Sequence, residues 1–132
     1  MKKTICLLAL FCAMAMLLAA CTSLATYEEN LGKDYKVRMF DVKEIDELAE
    51  EFDLDADDYG ISSIMEAKDK EKGYYAYIIK CESRKMAEEL VDDLDDVVEL
   101  MEQYSYFDVD AVADGSFVLV GNEDVIDDAL DK

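Results

Sequence analysis

Every one of the 33 acidic residues lies after Cys21, and nothing between Thr4 and Tyr27 carries a charge. That division decides which part of the chain can fold in water. Upstream, Met1-Lys2-Lys3 leads into a run dominated by Ile5, Leu7, Leu8, Leu10, Phe11, Met14, Met16, Leu17 and Leu18. Downstream, the 112 residues from Cys21 carry 11 basic and 33 acidic side chains, which leaves −22. That length suits one domain and not two.

A basic start, an apolar segment and small residues at its end describe a secretory signal peptide over residues 1–20. Leu18-Ala19-Ala20-Cys21 then resembles the lipobox of bacterial lipoproteins. The resemblance implies a diacylglyceryl thioether on Cys21, cleavage between Ala20 and Cys21, and a lipid-anchored protein on the extracytoplasmic face of the cell membrane. Only small side chains let a bilayer-embedded protease reach the backbone, and only a thiol forms the thioether. An uncleaved membrane helix is the competing reading, since the uncharged stretch reaches Tyr27 and a span needs about 20 apolar residues. Polar Cys21-Thr22-Ser23 and the shortness of residues 4–20 weigh against it. A simply secreted chain is the third reading. Acyl anchoring draws on about 0.8 kcal/mol per buried CH₂, so two chains hold without help from a basic patch. Outside the lipobox, the chain is similar only in general character to small bacterial lipoproteins.

A field of this sign repels nucleic acid phosphates and anionic headgroups, so nucleic acid is excluded as a direct ligand. It favours cations, whether divalent metals, polyamines or a basic protein surface. The plainer reading is that the charge maintains solubility. Cys6 and Cys12 leave with the signal and Cys21 is acylated, so Cys81 alone remains and no intramolecular disulfide can form. A buried, inert thiol is expected there. Zero histidines exclude Ser-His-Asp and Cys-His catalysis and His-containing zinc or copper sites. Tryptophan is absent as well, leaving eight tyrosines as the larger polar aromatics.

Residues 22–33 show no periodicity and read, with Cys21, as a lipidated tether spanning on the order of 20 Å. The domain is expected over 34–132. "DYKVRMF" alternates as a half-buried strand. Asp41 and Glu44 form a capping box for a helix carrying Ile45, Leu48, Ala49 and Phe52, with Phe40 and Ile45 as a hydrophobic staple. "ISSIMEAK" and "YYAYIIKC" read as a hairpin turning at Gly73. Ser83 caps a long helix to about Tyr104, apolar along Met86, Ala87, Leu90, Val91, Leu94, Val97, Val98 and Met101. "FDVDAVADGSFVLVG" is a hairpin around Asp114-Gly115, a type I′ signal, and Asn122 caps a last helix. The order β-α-β-β-α-β-β-α suits a two-layer α+β sandwich, a mainly antiparallel sheet with helices on one face. It resembles the ferredoxin-like arrangement in element order, with an added hairpin and helix.

Two segments carry candidate sites. Asp55, Asp57, Gly60 and Glu66 fall at positions one, three, six and twelve of a calcium loop, but Tyr59 occupies the fifth, where a better oxygen ligand belongs. An acidic turn between helix and strand explains the same residues. On the second hairpin strand Tyr75, Tyr77 and Ile79 share one face while Tyr74, Ala76 and Ile78 share the other, and a two-layer fold covers only one. The uncovered face either meets a partner, lies under the last helix, or leaves tyrosines half-exposed. No cofactor is implied, and no set of catalytic residues stands out among so many carboxylates. The sequence therefore points to a non-enzymatic binding or interaction module, with a divalent-cation-binding lipoprotein or a carboxylate-dependent enzyme as alternatives.

Overall fold

The computed structural model describes residues 24–105 and 107–131. Ala20, Cys21 and the signal segment lie outside the described residues. The domain begins ten residues earlier than its expected start, because residues 24–31 form a helix, α1. Leu24, Tyr27 and Leu31 fall on one stripe, and Tyr27 and Leu31 are each only 5% exposed. The tether expected over 22–33 is thus largely a packed element.

Five strands follow: β1 (Tyr35–Met39), β2 (Ser63–Asp69), β3 (Tyr75–Lys80), β4 (Val109–Asp114) and β5 (Phe117–Asn122). They form one antiparallel sheet in the order β1-β2-β3-β5-β4. α2 (Val42–Glu51) joins β1 to β2, α3 (Arg84–Asp93) and α4 (Asp95–Tyr104) join β3 to β4, and α5 (Glu123–Leu130) closes the chain. The fold is an α+β sandwich. β3 and β4 both run antiparallel to β5, which lies between them, so they are parallel to each other and α3–α4 bridges a split β-α-β unit.

Asp41 caps α2 with the expected box. The Glu44 N–H donates to Asp41 Oδ1 at 2.8 Å, and the Asp41 N–H donates to Glu44 Oε1 at 3.3 Å. Ser83 Oγ accepts from the Met86 N–H, and Asn122 Oδ1 from the Val125 N–H. The single long helix expected from Ser83 is two helices that meet at Leu94. Four aspartates, Asp92, Asp93, Asp95 and Asp96, surround the joint, and aspartate is a poor helix former that repels its like at this spacing. Leu94 itself is fully buried and anchors the break. In the last hairpin Asp114 pairs with Phe117, so the turn residues are Gly115 and Ser116. Only Gly115 has positive φ (+61°), which places glycine first, as in a type II′ turn, and rules out the expected type I′.

Both faces of the sheet are covered. Along β5, Val118 and Val120 join a core with α2, α3 and the 3-10 turn Ala56–Tyr59, while Phe117 and Leu119 join a second core with α1 and α5. Helices on one face alone, as expected, would have left Ala76, Ile78 and Leu119 wet, and each is at most 1% exposed. Where β5 pairs with β3, Gly121 (φ +143°) lets the Ala76 backbone approach, and a Cβ there would lie 2.5 Å from Ala76 Cα. Among the described residues no helix is long and apolar enough to cross a membrane.

Candidate functional site

One end of the sheet gathers the β2–β3 turn, the starts of β1 and β4, the end of β5 and the start of α5. An open depression of about 500 Å³ lies there, lined by Tyr74, Glu102, Ser105, Phe107, Asp108, Asn122, Glu123 and Asp124. A second, of about 360 Å³, shares Tyr74 and Asp124 and adds Tyr35, Asp69, Lys72, Val125, Asp127 and Asp128. Together they make a trough whose walls are carboxylates. Its aromatic floor is Tyr74 against Phe107, with ring centroids 5.1 Å apart, and Tyr75 touches the same phenylalanine edge-on at 5.7 Å.

Local structure accounts for the placement of several of these acids. Glu123 and Asp124 occupy the first turn of α5, where the helix dipole favours negative charge. Asp69 Oδ1 accepts from the N–H groups of Lys72 and Glu71, and these bonds hold its carboxyl below the usual range. Asp108 O accepts from the Glu123 N–H and from Asn122 Nδ2. Desolvation and the crowd of Asp108, Asp110, Asp127 and Asp124 push the Glu123 carboxyl upward. Lys72 Nζ sits 5.7 Å from the Tyr74 ring centre, so a cation already occupies one aromatic face of the trough. The arrangement suits an extended cation held by carboxylates and an aromatic surface, and it encloses no interior chamber.

The structure does not assemble the calcium-loop residues. Asp55 stays exposed, accepts from the Asp57 N–H and caps a 3-10 turn. Tyr59 is buried, and its hydroxyl donates to Asp93 Oδ2 at 2.5 Å. Glu66 lies in β2, its Oε1 4.0 Å from Arg38 Nε. Among the described residues no group of three or more acidic or cysteine side chains is placed to hold a metal ion.

The proposed tyrosine face is divided. Ile79 belongs to the core beneath α2 and α3, whereas Tyr75 and Tyr77 are half-buried. Tyr77 packs edge-on against Phe40, Phe52 and Tyr75. It borders a shallow groove of about 200 Å³ with Arg38, Glu44, Glu47, Glu51 and Glu66. Burial, then Glu66, pushes its phenol up to about 12. The opposite face, left open in the sequence reading, lies under α5 and α1. Cys81 is 2% exposed, and burial pushes its thiol up to about 11, as an inert core thiol requires.

Sequence reasoning missed the trough because its residues come from four separate stretches that only strand order brings together. In comparisons with known proteins, no family model, no curated protein and no solved structure matches the chain.

Proposed function

We propose that the chain is a lipoprotein anchored through Cys21 on the extracytoplasmic face of a bacterial membrane. Its domain acts as a non-enzymatic interaction module for a cationic partner. The lipobox-like Leu18-Ala19-Ala20-Cys21 supports the anchor. The convergence of Glu102, Asp108, Glu123 and Asp124 on the half-buried rings of Tyr74 and Phe107 carries the binding reading. Lysine and arginine side chains combine a charge that such walls attract with a stem or plane that lies on aromatic faces.

An oligolysine peptide is the direct probe, titrated into the soluble domain by calorimetry at low and high salt. Glu123→Gln with Asp124→Asn is expected to weaken binding several-fold, and Glu88→Gln with Glu89→Gln on α3 to leave it nearly unchanged. Equal losses from the two pairs would reduce the attraction to net charge and defeat the trough as a site. Mass spectrometry of the membrane-extracted protein tests the anchor, with diacylglyceryl on an N-terminal Cys21 as the expected species.

A further inference from the structure

The start of α1 is fastened to the end of the sheet opposite the trough. The Tyr27 hydroxyl donates to Asp114 Oδ2 at 2.5 Å, and its ring meets Phe117 edge-on at 5.4 Å, so the helix begins beside the β4–β5 turn. Farther along, Asn30 Nδ2 donates to Ala129 O at 2.8 Å and Leu31 is buried. Lys80 pairs with Phe117, and the Cys81 N–H donates to Ser116 O, so the start of α3 lies at this end too. The trough stands where Tyr75 and Asn122 mark the other ends of β3 and β5.

Only Thr22 and Ser23 separate Cys21 from Leu24. Three Cα steps reach at most about 11 Å in any conformation. A six-residue strand spans about 20 Å. If Cys21 is acylated, as the reading above holds, the β4–β5 end cannot retreat from the bilayer by more than a fraction of the domain's own length.

We propose that the domain stands on the membrane in one orientation, its β4–β5 turn and the start of α3 against the lipid headgroups and its acidic trough facing away. Charge bears on one alternative, the domain lying on its α1–α5 layer. The outer surface of the α1–α5 layer exposes Glu28, Glu29, Asp124, Asp127 and Asp128, which anionic headgroups repel, so the domain does not lie down on that layer. Arg84 and Lys85 occupy the first turn of α3, the wrong end of a helix dipole for cations. In this stance they face lipid phosphates. The trough then lies about two Debye lengths from the bilayer, where headgroup charge no longer competes for its ligand.

The orientation is testable with the full acylated protein in vesicles of phosphatidylglycerol and phosphatidylethanolamine. A fluorophore is attached through Ala113→Cys beside the β4–β5 turn, or through Glu71→Cys in the lysine-rich β2–β3 turn. Both sites are exposed and Cys81 is buried. Headgroup nitroxide lipids are expected to quench the first label several-fold more than the second. A Gly/Ser spacer of about ten residues between Ser23 and Leu24, adding roughly 15–20 Å of flexible reach, should collapse that contrast. Equal quenching at the two sites, stronger quenching at Glu71→Cys, or a contrast indifferent to the spacer overturns the orientation. Protein that leaves the vesicles with an unmodified Cys21 overturns the anchor reading and the orientation with it.

Discussion

The Tyr59 hydroxyl reaches from the 3-10 turn to the carboxylate of Asp93, the last residue of α3, with a 2.5 Å hydrogen bond. It ties the turn after α2 to the point where the second helical segment breaks. One bond thereby fixes the two connections that meet over the larger core.

Removing it by Tyr59→Phe keeps the ring and deletes the donor, so a loss of about 0.5–1.5 kcal/mol is expected in urea unfolding. The same bond imposes a pH dependence. Burial and Asp93 push the Tyr59 phenol up from 10.0 to about 12. The folded chain therefore keeps a proton that the unfolded chain releases first, so this contribution is complete below pH 10 and declines as pH rises to about 12. Tyr59→Phe should flatten that decline in part, the remainder belonging to groups such as Tyr77, raised to about 12. An alkaline limb of unchanged steepness in the variant would contradict the assignment.

Repulsion should be visible in salt. Among the described residues there are four ion pairs, two of which share Arg38, against an acidic excess of twenty over the whole chain. Raising NaCl from about 10 mM to about 500 mM shortens the Debye length from about 30 Å to about 4 Å. The melting temperature of the soluble domain is expected to rise across that range, and a flat profile would mean that the carboxylates do not strain the fold.

Gly121 is the glycine that lies against neighbouring backbone. In Gly121→Ala the new methyl meets Ala76 Cα and Tyr75 O at 2.5 Å, at a φ of +143°. Strain and overpacking together should cost roughly 3 kcal/mol or more. Gly115→Ala, with open space around it and a φ of +61°, is expected to cost about 1–2 kcal/mol. Parallel urea titrations compare the two, and near-equal midpoints would show that β3 does not crowd β5 at Gly121.

Leu31 separates a packed first helix from a tether. A flexible lead-in would lose nothing in Leu31→Ala, whereas a side chain 5% exposed in the α1–α5 core should forfeit about 2–5 kcal/mol. Thermal unfolding of the soluble domain measures this directly.

Where the sequence carried its own local signal, it was readable. The Asp41–Glu44 box, the Ser83 and Asn122 caps, the alternating strands and the glycine turns depend on residues a few positions apart. α1 was overlooked because three large apolar residues in eight, beside two glutamates, make a faint stripe that gains meaning only against Phe117 and Ala129. The break at Leu94 stayed hidden because the apolar repeat continues through it, while the aspartates that interrupt the helix lie on the other side. The trough depends on β5 inserting between β3 and β4, a long-range choice that no short window contains. The interval from Asp55 to Glu66 is also that of a capped turn running into a strand, which is how the structure places these residues.

The joint at Leu94 also divides the molecule into firm and yielding parts. α3 sinks Ala87 and Leu90 into the interior, but α4 has no fully buried residue and leaves Tyr104 80% exposed. Local opening begins where least apolar surface is sealed. α4, which packs on the outer strand β4, is accordingly the helix expected to open at least cost, with faster amide exchange there than in α3 as the measure.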